Sequence, residues 1–180
     1  MKNLKKGLLM AALTVILSAG CESLKDSVTT DIDAENVKLE FTAVTESKKS
    51  ETSSFSVTRT VNIAELSYEE IVEYAEKIDK VTVNSSGFSA EVTPAGSYTI
   101  TNLTVTAEGV PGSLSVPSYT VGEAFAAPAG MNDYTALFIM KLIGEKSLTV
   151  TVSGETDAPA GTTVTISYES DLVFKVKVLK

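Results

Sequence analysis

Histidine and tryptophan are absent from this 180-residue chain, and cysteine and arginine occur once each, as Cys21 and Arg59. Each shortage closes a class of chemistry. Without His there is no Ser-His-Asp or Cys-His catalysis and no His-ligated zinc or haem. A lone Cys excludes an intrachain disulfide framework, a Cys-x-x-Cys redox pair and a thiolate cluster. What remains is ordinary globular material, 43% apolar and 21% charged, with length for about one domain. Nothing in it implies a cofactor or a metal.

Lys2, Lys5 and Lys6 precede an apolar stretch, Leu8 to Leu17, which closes on Ser18-Ala19-Gly20-Cys21. A basic start, a short hydrophobic run and small residues ahead of a cut site form the pattern of a secretory signal. The run falls short of the roughly 20 residues that span a bilayer. The stretch resembles the lipobox of bacterial lipoproteins, in which the Cys is lipid-modified and becomes the new amino terminus. Ala19 and Gly20 match that pattern; Ser18 stands where Leu is commonest, and Leu17 lies one place earlier. The resemblance implies a signal peptide over 1–20, acyl chains such as palmitate on Cys21, and an outer-membrane address, facing the periplasm or the cell surface. Each buried methylene contributes about 0.8 kcal/mol, so several chains hold a domain at a bilayer essentially permanently. Residues 1–20 carry three Lys and no acid, so the remainder has 12 basic against 23 acidic side chains, net −11. Such a body is repelled by nucleic acid and by anionic headgroups. The expected membrane contact is the lipid on Cys21, and no nucleic-acid partner is expected.

Residues 21–36 read as a flexible tether, Ser-, Thr- and acid-rich with no sustained periodicity. Its coil span is about 20 Å and its full stretch roughly 50 Å. Asp31, Asp33 and Glu35 alternate as calcium-loop ligands do, but the central Gly and distal Glu of such a loop are missing, so they read as solvated acids. Asp26-Ser27-Val28 resembles the O-glycan acceptor motif of Bacteroides-type anaerobes, with Ser27 as the acceptor. Glu22 and Asp26 resemble the acidic export signal of surface lipoproteins in the same bacteria.

From residue 37 to 180 the pattern is period two. Val37, Leu39, Phe41 and Ala43 share a face, as do Phe55, Val57, Arg59 and Val61. The alternation returns at Val81 and Val83, at Phe88 to Val92, at Leu103 to Ala107, at Leu148 to Val152, at Val164 to Tyr168 and at Leu172 to Val178. Many short half-buried strands between turns predict a mainly β, antiparallel, immunoglobulin-like Greek-key sandwich. One short capping helix is expected near 68–79. Ser67 and Glu70 are spaced as a capping box, Leu66 and Ile71 as a staple, and Ile71, Val72, Ala75 and Ile78 as one apolar face. Ala136 to Met140 is apolar at every position and reads as a central strand covered on both faces. Pro-Ala-Gly at 94–96, 128–130 and 159–161 reads as a repeated reversal before a strand.

For function, three classes stay open. A carboxylate-based glycoside hydrolase is the remote one, because Glu91, Glu108, Glu123, Asp133, Glu155 and Asp171 sit singly with no spacing that predicts convergence. A pilin-like fibre subunit assembling by strand exchange is the second, with Arg59 as the one site for Arg-directed processing; the chain is about half the size of the two-domain pilins it would have to resemble. The favoured expectation is a non-catalytic, lipid-anchored binding or assembly module, similar in kind to small lipoproteins of gut-type Gram-negative anaerobes. It would recognise a protein or glycan through sandwich loops, with Tyr98, Tyr119 and Tyr134 as candidate contacts.

Overall fold

A computed structural model describes residues 29–47, 52–123 and 127–177. Eight strands and two α-helices follow in the order β1 (Thr29–Val44), β2 (Glu46–Ser47), β3 (Ser53–Asn62), α1 (Glu69–Glu73), β4 (Ile78–Thr93), β5 (Thr99–Ala107), β6 (Leu114–Thr120), α2 (Met131–Glu145), β7 (Ser147–Thr156) and β8 (Thr163–Lys177). Two antiparallel sheets face each other, one ordered β1-β8-β4 and the other β2-β3-β7-β5-β6. The fold is an antiparallel β-sandwich whose pairings nest. First and last strands pair (β1 with β8), β3 pairs with β7, α2 packs on β4, and β5 and β6 form the innermost hairpin. Nested pairing rolled into two sheets is the topology of a jelly roll, with a helix in one of the eight strand positions. In the immunoglobulin order the first strand lies beside the second and the last beside the one before it. Here the first lies beside the last.

In three strands the parity that faces the core changes at a bulge. In β1 the buried set runs Ile32 and Ala34, then Val37, Leu39 and Phe41, with a register shift between Ala34 and Val37. In β4 it runs Val81 and Val83, then Phe88, Ala90 and Val92, across a shift between Val83 and Ser85. In β5, Ile100 gives way to Leu103, Val105 and Ala107 across a shift between Thr101 and Thr104. An extra residue flips every later side chain to the other face. Asn36 and Asn102 take the positive φ that two of these bulges need, +57° and +53°. One carboxylate ties two of the bulges together. Asp171 on the central β8 accepts the Asn36 backbone N–H at 2.9 Å and the Ser85 hydroxyl at 2.7 Å, and these bonds hold its carboxyl below the usual Asp range.

The tether expected over 21–36 ends earlier. Residues 29–36 are strand, Thr29 pairing with Lys177 and Ala34 with Leu172. Asp31, Asp33 and Glu35 are its outward positions, and the parity break at Asn36 hid the alternation. The 1–20 leader, Cys21, Glu22, Asp26 and Ser27 lie outside the described residues.

The expected helix near 68–79 is smaller than its pattern suggested. Ser67 does not cap it; at φ +60° it closes a 3-10 turn at Ile63–Leu66. The cap lies five residues upstream, where the Glu65 carboxylate accepts the Asn62 backbone N–H at 2.8 Å. α1 then spans five residues and relaxes into a second 3-10 turn, Ala75–Lys77. The segment still covers one end of the sandwich as it crosses from β3 to β4, with Leu66 and Ile71 fully buried.

The strand expected at Ala136–Met140 is the middle of α2. Met131, Tyr134, Thr135, Phe138, Ile139, Leu142 and Ile143 are buried, at helical spacing, while Leu137 is 51% exposed. The five-residue run has no polar residue to mark either period; only the 15-residue window separates helix from strand. Gly130, at φ +80°, starts this helix, so the second Pro-Ala-Gly is a helix entry. The other two do turn strand into strand, with a cis bond at Thr93–Pro94 and Gly161 at φ +83°.

Positions 137 and 139 lie on one face of a strand but on different faces of a helix, which separates the two readings in solution. Ile139→Ala is expected to cost about 2–5 kcal/mol and Leu137→Ala well under 1 kcal/mol, measured by chemical denaturation; equal costs would contradict the helix. Asp171→Ala is expected to lower the thermal midpoint. Because the folded value is depressed, the wild-type contribution is present above the ordinary Asp range and is lost as pH falls through the folded value. The variant's acid limb should therefore be flatter than wild type's, and an unchanged midpoint would show that the bulges stand without the carboxylate.

Candidate functional site

The three candidate tyrosines do not form one surface. Tyr119 on β6 is 9% exposed and donates its hydroxyl to the Glu123 carbonyl at 3.3 Å. Tyr134 on α2 is 9% exposed, and burial raises its phenol pKa. Tyr98 is half-buried beside the Pro94 turn, its ring folded over Gly96. A sugar stacks on an open aromatic face, which Tyr119 and Tyr134 do not offer.

The six singled-out acids are spread over different elements: β4, the β5–β6 turn, the stretch after β6, α2, β7 and β8. Asp171 is committed to its bulges, and Glu155 alone belongs to the groove described below. Arg59 points between the sheets. Its Nε donates to the Glu40 carbonyl at 3.0 Å, its Nη1 pairs with Glu65 at 2.7 Å, and its guanidinium lies 4.6 Å from the Phe41 ring centre. Burial alone would raise the Glu65 pKa; the Asn62 N–H and Arg59 outweigh it and hold the carboxyl low.

Two hollows exist. Beneath α2 an interior cavity of about 30 Å³ is bounded by Phe41, Phe88, Phe138, Val150 and Tyr168. That is room for roughly one water. Tyr168 is buried, donates its hydroxyl to Thr135 Oγ1 at 2.5 Å, and has its pKa pushed up to about 12, chiefly by burial. This is core.

The second hollow is an open groove of about 340 Å³ on the outer face of the five-stranded sheet. Three local features build it. β2 pairs Glu46 with Ser54, which adds a fifth strand at this end of the sheet only. The β5 bulge lifts Asn102 above the plane, out of register with β7. Gly154 lies opposite Phe55, whose ring covers the core side of the glycine where a Cβ would be, so the sheet beneath the groove is backed by the interior. Ser54, Ser56 and Ser153 line the groove between two carboxylates, Glu46 and Glu155. The chemistry is that of a hydrogen-bonding pocket: an amide that donates and accepts, hydroxyls that do both, and carboxylates that accept. Among the described residues there is no cluster of three or more potential metal ligands. Sequence reasoning missed Glu46 and Asn102. The signal for Asn102 was available, because an Asn stands where the inward positions step from Ile100 to Leu103.

No protein-family model matches the chain, and no curated protein matches it. Among solved structures, a chain of Desmodium yellow mottle tymovirus is similar over 92% of this chain and 93% of its own, with 10% identity and a TM-score of 0.28.

A methyl group at Gly154 would sit 2.7 Å from the Phe55 ring. Gly154→Ala is expected to destabilise by about 1–3 kcal/mol and to displace the Phe55 ring within the core beneath the groove. Unfolding in guanidinium checks this, and wild-type stability would show that the ring is free to move.

Proposed function

We propose that the protein is a lipid-anchored module of a Gram-negative cell envelope, held at the outer membrane through Cys21, that binds a glycan without transforming it. The observation that carries the binding reading is the groove. It offers an amide, three serine hydroxyls and two carboxylates on a rigid sheet, the donor and acceptor set that matches a polyhydroxylated ligand. The anchoring reading rests on Ser18 to Cys21 and the preceding apolar run. Among the described residues no helix is long and apolar enough to cross a membrane. With β1 starting at Thr29, the stretch from Cys21 reaches no further than roughly 30 Å. The anchored end of the domain therefore stays close to its bilayer.

The two carboxylates of the groove are set wider than a retaining pair. Glu46 and Glu155 flank Ser54 on either side, so their strands are two spacings, about 9–10 Å, apart. A retaining glycosidase needs its carboxyls about 5–5.5 Å apart, which this spacing does not match, whereas an inverting pair at about 6.5–9.5 Å comes close to it, so the release of reducing ends is the measurement that separates binding from hydrolysis. Strand exchange is less well supported, because Arg59, partly exposed at the open side of the sandwich, is held by the Glu40 carbonyl and the Glu65 carboxylate.

Two measurements test the proposal on the full-length protein. Radiolabelled palmitate is expected to enter the wild type and not Cys21→Ser; equal labelling would remove the anchor. On a glycan array the wild type is expected to bind neutral glycans, with Asn102→Ala about tenfold weaker and no reducing ends released on incubation. Release of sugar would replace the binding reading with a hydrolytic one, and a silent array would end the glycan assignment.

A further inference from the structure

The groove opens onto a face of unusual chemistry. On β3 every outward position from 54 to 60 is Ser or Thr, on β7 every one from 149 to 153 is too, and β5 adds Thr104 and Thr106. The register aligns them in rows, Ser56 with Ser153 and Thr104, then Thr58 with Thr151 and Thr106. Neighbours are about 4.8 Å apart across the strands and roughly 6.7 Å apart along them. Thr58 and Thr151 hydrogen-bond through their hydroxyls at 2.8 Å, which orders the centre of the grid. Beyond Glu155 this stretch carries no charge, in a body of net −11. The outer face of the other sheet is the opposite, with Lys38 paired to Glu40 and Glu169.

Resting on the glycan reading, we infer that this hydroxyl face continues the groove and binds a neutral, linear polysaccharide laid along β3 and β7, with one segment seated at Asn102. Uncharged rows that end at Glu46 and Glu155, on a body of net −11, accept an uncharged polymer, while the surrounding negative charge repels an anionic one. A protein partner would need aromatic or aliphatic anchors, and these rows present none. An exposed neutral hydrogen bond only exchanges with water and contributes little alone. Affinity on such a surface must come from many bonds in line, which selects a chain over a single sugar. The rows from Ser54 to Thr60 run roughly 20 Å, enough for several linked rings.

The test compares the full-length protein against amylose, mannan and a β-glucan, short oligosaccharides of each, and anionic alginate. Affinity for at least one neutral polymer is expected to exceed that for its disaccharide by about tenfold or more, with alginate unbound. The double variant Thr58→Val/Thr151→Val removes a bonded hydroxyl pair together from exposed positions and keeps β-branched residues there. It is expected to lose about tenfold for the polymer and nothing for the disaccharide, while Thr→Ser at both positions restores polymer binding. Circular dichroism and the unfolding midpoint confirm that the variants fold. If polymer and disaccharide bind alike, or the Val pair leaves polymer binding unchanged while Asn102→Ala still weakens it, the extended face is overturned and the groove stands. If no neutral glycan binds, both fall. Preferential binding of alginate overturns the charge argument.

Discussion

The three-stranded sheet depends on one carboxylate in its middle. Asp171 lies on the central strand and accepts from both neighbours, the Asn36 N–H on β1 and the Ser85 hydroxyl on β4. At that level each neighbour carries one extra residue relative to β8. Without those insertions the apolar sets on the two halves of β1, and on the two halves of β4, would face opposite sides. With them, Ile32, Ala34, Val81 and Val83 turn toward the same interior as Leu39, Phe41, Phe88 and Val92. The sheet can then run past the end of its partner and offer the β3–β4 crossing an apolar floor. Leu66 and Ile71 pack there with Phe174, all at 0% exposure. The short 3-10 and helical turns of that crossing are held by this burial, since α1 alone is too short to be stable.

The open sides of the sandwich are closed by different means. A bare strand edge invites another chain, and each of the four here is managed. α2 lies along β4 in the position a strand would take. Beside β1, Arg59 donates to the Glu40 carbonyl and the Tyr68 hydroxyl to the Glu35 carbonyl. β6 carries Pro117, which has no N–H to offer. β2 is two residues long. The same devices bear on assembly by strand exchange, because a donor strand would have to displace α2 or break the ion pair between Arg59 and Glu65. Among the described residues Val44, Val72 and Leu137 are the exposed large apolar side chains, and they sit on three separate elements.

Most of the strands and the sandwich class were legible because a half-buried strand writes its own period. Val37 to Ala43 and Leu148 to Val152 alternate without interruption, and both are strands over those residues. The errors cluster where the period changes. Residues 29–36 hid behind the bulge at Asn36. The runs at Val81–Val83 and Phe88–Val92 looked like two strands because their parities differ, yet they are one strand with a bulge between them. The runs at Val164–Tyr168 and Leu172–Val178 read as separate, yet β8 is one strand through both, with Ser170 an inward position and Asp171 the tie to both neighbours. α2 failed for another reason: its central run is apolar on every side, and the burial of Tyr134 and Thr135 decides the period only in a wider window. The groove was illegible. It joins β2, β3, β5 and β7, and no local pattern reveals that Glu46 and Glu155 will flank the same serine.

The position of the groove relative to the amino terminus follows from β1. That strand is 16 residues long, roughly 50 Å at about 3.3 Å per residue, and Glu46 stands two residues beyond its last one. Thr29 and the groove therefore lie at opposite ends of the sandwich. An acyl anchor on Cys21 would draw the Thr29 end toward the bilayer, within the roughly 30 Å that eight extended residues allow. A body of net −11 does not lie down on anionic headgroups. With such an anchor, lipid and charge would act in the same direction, one holding the base and the other keeping the sheet off the surface. The uncharged hydroxyl face and the groove at its far end are left turned to the aqueous side, where a neutral polymer would meet them.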